Sequence, residues 1–251
     1  MNPFDLSGKV ALVTGANTGI GQGIALALAR AGADIAAVSR SEPLDTLVAV
    51  ESCGRRACWI ASEFGRDKPD EDLVAQAIQY LGRLDILVNN AGTIRRNDAV
   101  DFTEAEWDEV IDVNLKACFF LAQQAARHWL ATESAGKIIN IASMLSFQGG
   151  IRVASYTASK SGVLGLTRIL ANEWAKHGIN VNAIAPGYFE TNNTEALRQD
   201  ETRNRAILER IPAGRWGKPE DLGGAAVFLA SAAADYVHGT VLPVDGGWLA
   251  R

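Results

Sequence analysis

Cysteine is scarce in this 251-residue chain. Cys53, Cys58 and Cys118 are odd in number and lack the close spacing of a metal-binding set, which argues against a disulfide framework and a thiolate metal site. They read as plain thiols, two in or beside a strand and one on a helix. Histidine is equally thin: His128, His177 and His238 are scattered, so no metal is expected. No apolar run approaches the roughly 18 residues that a membrane-crossing helix needs. Residues 1–9 show no basic stretch leading into an apolar one, so no membrane partner and a cytoplasmic location are the expectation. Positive charge is also in short supply. Lys and Arg total 24 against 29 Asp and Glu, a net charge of -5, and they form no cluster. Such a chain is a poor partner for nucleic acid or an anionic lipid surface. What remains is ordinary globular composition, 48% hydrophobic and 21% charged, enough apolar mass for a sizeable core.

The apolar residues are arranged in a rhythm. Short runs recur at Val10-Ala11-Leu12-Val13, Ile35-Ala36-Ala37-Val38, Ile86-Leu87-Val88, Ile138-Ile139-Asn140-Ile141 and Val181-Asn182-Ala183-Ile184. They are nearly continuous rather than alternating, as strands covered on both faces should be. Between them lie segments of helical period, among them Ile24 to Ala31, Asp70 to Leu81, Glu104 to Leu130 and Tyr156 to His177. Strand–helix–strand repetition implies right-handed crossovers and a parallel sheet. The expectation is one doubly wound α/β domain over residues 1–251. The stretch 188–216 breaks the rhythm: it is polar and follows Pro186-Gly187. It reads as a lid-like insertion with a short helix or two, with an ordinary surface loop as the alternative.

Directly after the first run comes Thr14-Gly15-Ala16-Asn17-Thr18-Gly19-Ile20-Gly21, followed by a helix. Glycines between strand and helix permit a tight turn and close backbone approach, and a helix N-terminus offers free N–H groups to a pyrophosphate. The second run ends in Ser39-Arg40, where an NAD enzyme would place an acid for the ribose hydroxyls. A hydroxyl and a guanidinium there suit a 2′-phosphate, which favours NADP(H) over NAD(H), although Glu42 lies close by.

The residues that point to chemistry are Ser143, Tyr156 and Lys160. Tyr156 and Lys160 stand four positions apart at the start of a helical segment, hence on one face. A free phenol titrates near 10 and is a weak base at neutrality; an adjacent ammonium stabilises its anion. Ser143 follows the run Ile138 to Ile141, at the strand end where open α/β sheets bind ligands, and its hydroxyl can hold a substrate oxygen while Tyr156 moves the proton. Taken singly, each has a plain structural reading: core tyrosine, solvated lysine, turn serine.

These motifs resemble the short-chain dehydrogenase/reductase family, from about Leu6 to Arg251. The matching pieces are Thr14-Gly15-x-x-x-Gly19-x-Gly21, Asn89-Asn90-Ala91-Gly92, Asn114, Ser143, Tyr156-x-x-x-Lys160 and Pro186-Gly187. The resemblance implies a Rossmann-type sheet of about seven parallel strands and a homotetramer. It also implies Tyr156 as general acid/base, Ser143 as carbonyl orienter, Lys160 as ribose ligand and tyrosinate stabiliser, and Asn114 as anchor of a proton-relaying water. Gly15, Asn17, Thr18, Gly19, Ile20 and Gly21 would hold the phosphates. Asn90, Ala91 and Gly92 would lie near the adenine ribose, and Pro186, Gly187 and Thr191 by the nicotinamide and phosphates. Glu63, next to Phe64, replaces the usual Asp at the adenine.

Longer stretches around Arg95-Arg96, Met144 to Val153, Ile211 to Gly217 and Asp245 to Arg251 resemble a subgroup acting on deoxy sugar acids. An acidic protein needs local cations for a carboxylated substrate. Arg95 and Arg152 border the expected cleft and suit that task, with Gln148 reading a hydroxyl; ordinary surface charge is the alternative. Trp248 and Arg251 would pack an interface or seal a neighbour's site. The reaction expected is hydride transfer between a nicotinamide and a secondary alcohol or ketone of a sugar acid. Two other readings stay open. A 3-oxoacyl-thioester reductase would share every core motif but would want a basic patch for an acidic carrier. A catalytically silent NADP(H) sensor would have no need of Ser143, Tyr156 and Lys160 together.

Overall fold

Seven strands, β1 (Val10–Thr14), β2 (Asp34–Ser39), β3 (Ala57–Ala61), β4 (Ile86–Asn89), β5 (Gly136–Ile141), β6 (Ile179–Pro186) and β7 (Val241–Val244), pair in parallel in the order β3-β2-β1-β4-β5-β6-β7. The structure, a computed structural model, describes residues 2–65 and 73–251. Nine helices among the described residues complete it: α1 (Gly19–Arg30), α2 (Leu44–Ser52), α3 (Leu73–Leu81), α4 (Glu104–Ile111), α5 (Ala117–Ala131), α6 (Ala154–Trp174), α7 (Glu195–Gln199), α8 (Glu201–Arg210) and α9 (Gly223–Ala230).

The central strands owe their burial to their continuous apolar runs. Every residue of β1, β2, β4 and β6 is buried, because helices cover both faces. Alternate side chains divide between two cores. Ala11, Val13, Ile35, Val88 and Ile139 meet Ile24 and Leu28 of α1 and Leu229 of α9 on one face. Leu12, Ala36, Val38, Leu87 and Ile138 meet Val74, Leu121, Trp129 and Leu170 on the other. Trp129 is fully buried and donates its indole N–H to the Leu84 carbonyl at 2.8 Å. A side chain on Gly136 would lie 2.3 Å from that ring, so β5 has to open on glycine.

The helical expectations hold with adjusted ends. The first three residues of the segment read from Asp70 to Leu81 lie outside the described residues. The segment read as one helix from Glu104 to Leu130 is instead α4, a π turn at Asp112–Lys116 and α5. A capping box starts α4: the Thr103 hydroxyl accepts from the Glu106 N–H, and the Glu106 carboxylate accepts from the Thr103 N–H. The segment 188–216 carries α7 and α8, whose Ile207 packs with Met144, Ile211, Trp216 and Trp248. Trp248 is 4% exposed, with the Arg210 guanidinium stacked 4.0 Å above its ring, and Arg251 donates to the Glu209 carbonyl. The chain's end is thus tied down within the same subunit.

Candidate active site

The chain leaves β1 toward β2 on one side and later returns to β4 on the other. A crevice therefore opens where the strand order reverses, at the C-terminal ends. It measures about 450 Å³. The β1–α1 loop supplies Gly15, Asn17, Thr18, Gly19, Ile20 and Gly21; Arg40 stands beyond β2; Asn90, Ala91 and Gly92 follow β4. Ser143 comes from the end of β5, Tyr156 and Lys160 from α6, and Pro186, Gly187 and Thr191 from the end of β6. Ile141, Ala142, Phe189, Asn192, Asn193 and Thr194 line it too.

Close backbone packing shapes the glycine loop. Gly15 and Gly19 adopt φ of 65° and 56°, the left-handed region that glycine enters without strain. Gly21 has no room: a Cβ there would sit 2.1 Å from the Gly15 carbonyl oxygen and 2.4 Å from Asn90 Nδ2. Asn90 Nδ2 donates to the carbonyls of Thr14 (2.9 Å) and Gly15 (3.3 Å), and Thr14 Oγ1 accepts from the N–H groups of Asn90 and Ala91. Helix α1 begins with no acidic residue in its first turn, and Thr18 makes no side-chain cap. Its exposed N–H groups and positive dipole end fit a dinucleotide pyrophosphate.

Beyond β2, Arg40 projects from the rim with its side chain 78% exposed, its Nη1 3.8 Å from a carboxylate oxygen of Glu63. Glu63 and Phe64 stand outside the cleft wall, Phe64 packing against the core beneath α3 and α5. Ser39 is buried and donates its hydroxyl to the Ser41 carbonyl at 2.7 Å, so it serves its own turn.

At the end of β5, the Ser143 hydroxyl meets the Tyr156 hydroxyl and accepts the Leu145 N–H at 3.1 Å. Burial pushes the Tyr156 phenol above its ordinary value, while the Ser143 bond and the Arg96 charge pull it down. Lys160 is buried; desolvation brings its amine down to about 8, and its electrostatic interaction with Cys118 acts in the opposite sense. Its Nζ donates to the Ile141 carbonyl at 2.6 Å and lies 5.8 Å from the centre of the Tyr156 ring. Sequence reasoning makes Lys160 the main stabiliser of the phenolate. In the structure Ser143 and the Arg96 charge also favour it, while the Lys160 ammonium bonds the Ile141 carbonyl.

Asn114 sits in the π turn, 2% exposed and away from the cleft wall. Its Oδ1 accepts from the Thr93 N–H at 2.8 Å, and its Nδ2 donates to the Thr93 carbonyl and to Ser159 Oγ. Ser159 in turn donates to the Tyr156 carbonyl at 2.8 Å, so Asn114 links the β4 loop to the first turns of α6. Cys118 is inert: burial pushes its thiol up to about 12. Among the described residues no group of three or more His, Cys, Asp or Glu could hold a metal ion.

The residues read as substrate contacts lie outside the cleft wall. Arg95 is paired with Glu109 and bonds its own loop; Arg152, at φ 64°, pairs with Asp98 at 3.0 Å; Gln148 accepts from Arg210. Arg96 does not line the cleft either. Its charge acts on the Tyr156 hydroxyl, its Nη2 donates to the Asn193 carbonyl at 3.2 Å, and it has no ion-pair partner among the described residues. The doublet Arg95-Arg96 was visible in the sequence. The acids Asp98 and Glu109, able to claim the neighbouring cations, were the signal that could have separated them.

A glycine cradle for a pyrophosphate, with a serine, tyrosine and lysine beside it, defines a nicotinamide-dinucleotide-dependent oxidoreductase acting on CH–OH groups. Comparison with known proteins agrees. The family model described as enoyl-(acyl carrier protein) reductase matches residues 15–249. The chain is 59% identical over 251 residues to the 2-dehydro-3-deoxy-D-gluconate 5-dehydrogenase of Escherichia coli (strain K12), covering 100% of this chain and 99% of that one. It is 56% identical over 249 residues to the enzyme of the same name from Bacillus subtilis (strain 168), covering 99% and 97%. A crystal structure from Agrobacterium tumefaciens, provisionally assigned as a 2-deoxy-D-gluconate 3-dehydrogenase with bound NADP, superposes with a TM-score of 0.96 at 62% identity over 100% of both chains. This chain belongs to the short-chain dehydrogenase/reductase family.

Proposed function

We propose that the protein interconverts a secondary alcohol and a ketone on a deoxy sugar acid, with NADP(H) as its preferred coenzyme. The observation that carries this is the meeting of Ser143, Tyr156 and Lys160 in the dinucleotide cleft, with the Arg96 charge favouring the phenolate. The glycine loop and Arg40 would hold the coenzyme, which supplies the hydride acceptor or donor. Ser143, its oxygen already accepting the Leu145 N–H, presents its hydrogen to the oxygen of the reacting group. Tyr156 takes the hydroxyl proton during oxidation and returns it during reduction. Lys160 holds the end of β5 and would bind the ribose. Arg96 would pair with the substrate carboxylate, since a guanidinium with no acidic partner among the described residues is suited to a carboxylate fork. The relatives named for 2-dehydro-3-deoxy-D-gluconate support this substrate class.

The test is coenzyme absorbance with NADPH and NADH in parallel against deoxy and keto-deoxy sugar acids and a short 3-oxoacyl thioester. Turnover of the sugar acids alone is the expected result. Turnover of the thioester alone would replace this reading with an acyl-thioester reductase, and binding without turnover across the panel would leave a sensor. Replacing Arg96 by Ala should raise KM for the acids about 10- to 100-fold, the worth of a charge-assisted hydrogen bond, with a smaller loss in kcat. Equal losses on an uncharged alcohol would remove Arg96 from carboxylate recognition.

Arg40 supports the preference for NADP(H): it is long, exposed and at the rim, and its pairing with Glu63 at 3.8 Å is loose enough to yield to a phosphate. Arg40→Ala should weaken NADPH about tenfold or more while NADH changes little, measured by titration of coenzyme fluorescence. An equal loss for both would sink the preference. Asn192, Asn193 and Thr194 support the reading of 188–216 as a lid over the cleft. Phe120 and Leu130 on α5 and Ile169 on α6, all exposed, support assembly into the homotetramer usual in the family.

A further inference from the structure

Ser146 ends the short 3₁₀ turn Met144–Ser146 that follows Ser143. Its hydroxyl accepts from the Ser143 N–H at 3.3 Å and donates to the Lys160 carbonyl at 2.7 Å. The first bond is half of a local capping arrangement, completed by the Leu145 N–H donating to Ser143 Oγ. The second is not local, since it crosses to the middle of α6. A carbonyl there already has a partner within the helix, so the bond rescues no orphaned group. What it does is join two backbone positions that carry reacting side chains.

Lys160 therefore grips the segment after β5 twice. Its Nζ holds the Ile141 carbonyl at 2.6 Å, and its own carbonyl holds Ser146 at 2.7 Å. Ser143 lies between the two attachments. Resting on the catalytic reading above, we propose that Ser146 is a positioning residue for hydride transfer, clamping the backbone of Ser143 to the helical turn that carries Lys160. Without the clamp, Ser143 is held on one side only and its hydroxyl loses alignment with Tyr156. Misplacement by about 1 Å at such a site costs rate out of proportion to its cost in stability.

The experiment compares Ser146→Ala, Ser146→Thr, Ser143→Ala and the double variant Ser143→Ala/Ser146→Ala as full-length enzymes. Ser146→Ala should lower kcat about tenfold, with KM and NADPH affinity within about twofold of the parent. Ser146→Thr, which keeps the hydroxyl, should recover most of the loss. In the Ser143→Ala background the second substitution should do nothing more, because its effect passes through Ser143. The pH profile of alcohol oxidation should also move upward in Ser146→Ala, as in Ser143→Ala, since the Ser143 bond holds the phenol down. Unchanged kcat in Ser146→Ala, failure of Thr to rescue, or the same decrement with and without Ser143 would each overturn the proposal. Ser143→Ala with parental turnover would instead overturn the catalytic reading, and this clamp with it.

Discussion

Tyr156→Phe is expected to cut turnover by about 10²- to 10⁴-fold in both directions, the range that a positioned acid or base contributes, while NADPH affinity stays within about twofold. The substitution keeps the ring that packs the cleft wall and deletes only the hydroxyl that meets Ser143. Among the described residues nothing nearby can take its place. Lys160 donates to the Ile141 carbonyl, Ser143 is too weak a base alone, and His128, His177 and His238 do not line the cleft. The parent's pH dependence follows from the phenol. Burial raises it, so the protonated form needed for ketone reduction is held to higher pH, and alcohol oxidation, which needs the anion, should climb as pH rises. Steady-state rates with coenzyme titration check both points. Retention of more than about a tenth of parental turnover would move the proton-transfer role to another group.

Gly21→Ala should abolish useful coenzyme binding, weakening NADPH at least about a hundredfold, and lower the melting temperature. The added methyl would stand 2.1 Å from the Gly15 oxygen. Neither side can yield easily: Gly15 is hydrogen-bonded through its N–H to the Val38 carbonyl, and Asn90 is anchored to Thr14. The loop must move as a unit, which displaces the N–H groups from the pyrophosphate. Overpacking of this kind costs about 1–3 kcal/mol, or about 2–10 °C in Tm for a chain of this size. Calorimetric titration and thermal melts separate the two effects. Unchanged affinity would mean that the pyrophosphate does not lie on this loop.

Burial decided which parts of the fold were legible. The five central strands stood out because strands covered on both faces need uninterrupted apolar residues. The edge strands β3 and β7 did not, being only partly buried; Pro243 is tolerated in β7 because an edge strand can lose a donor. Both entered only through the family resemblance. The π turn was invisible because an inserted residue in a long amphipathic pattern barely disturbs its period. In the site, residues fixed by backbone position, such as Gly15, Gly92 and Gly187, line one cleft. Long side chains are not so fixed. Glu109 holds Arg95 and Asp98 holds Arg152, pairings that depend on where those acids lie, and the Ser39 hydroxyl bonds a carbonyl two residues away.

The extra residue at Asp112–Lys116 puts α4 and α5 out of phase along one continuous rod. Helix α5 keeps its apolar stripe on β4, β5 and α3, whereas α4 turns toward α6. One rod thus answers to two partners: beyond the offset it belongs to the scaffold, and before it, to the wall behind the reacting tyrosine. A straight helix could satisfy only one of these, so irregularity here is what allows the sheet and the chemistry to share a single piece of backbone.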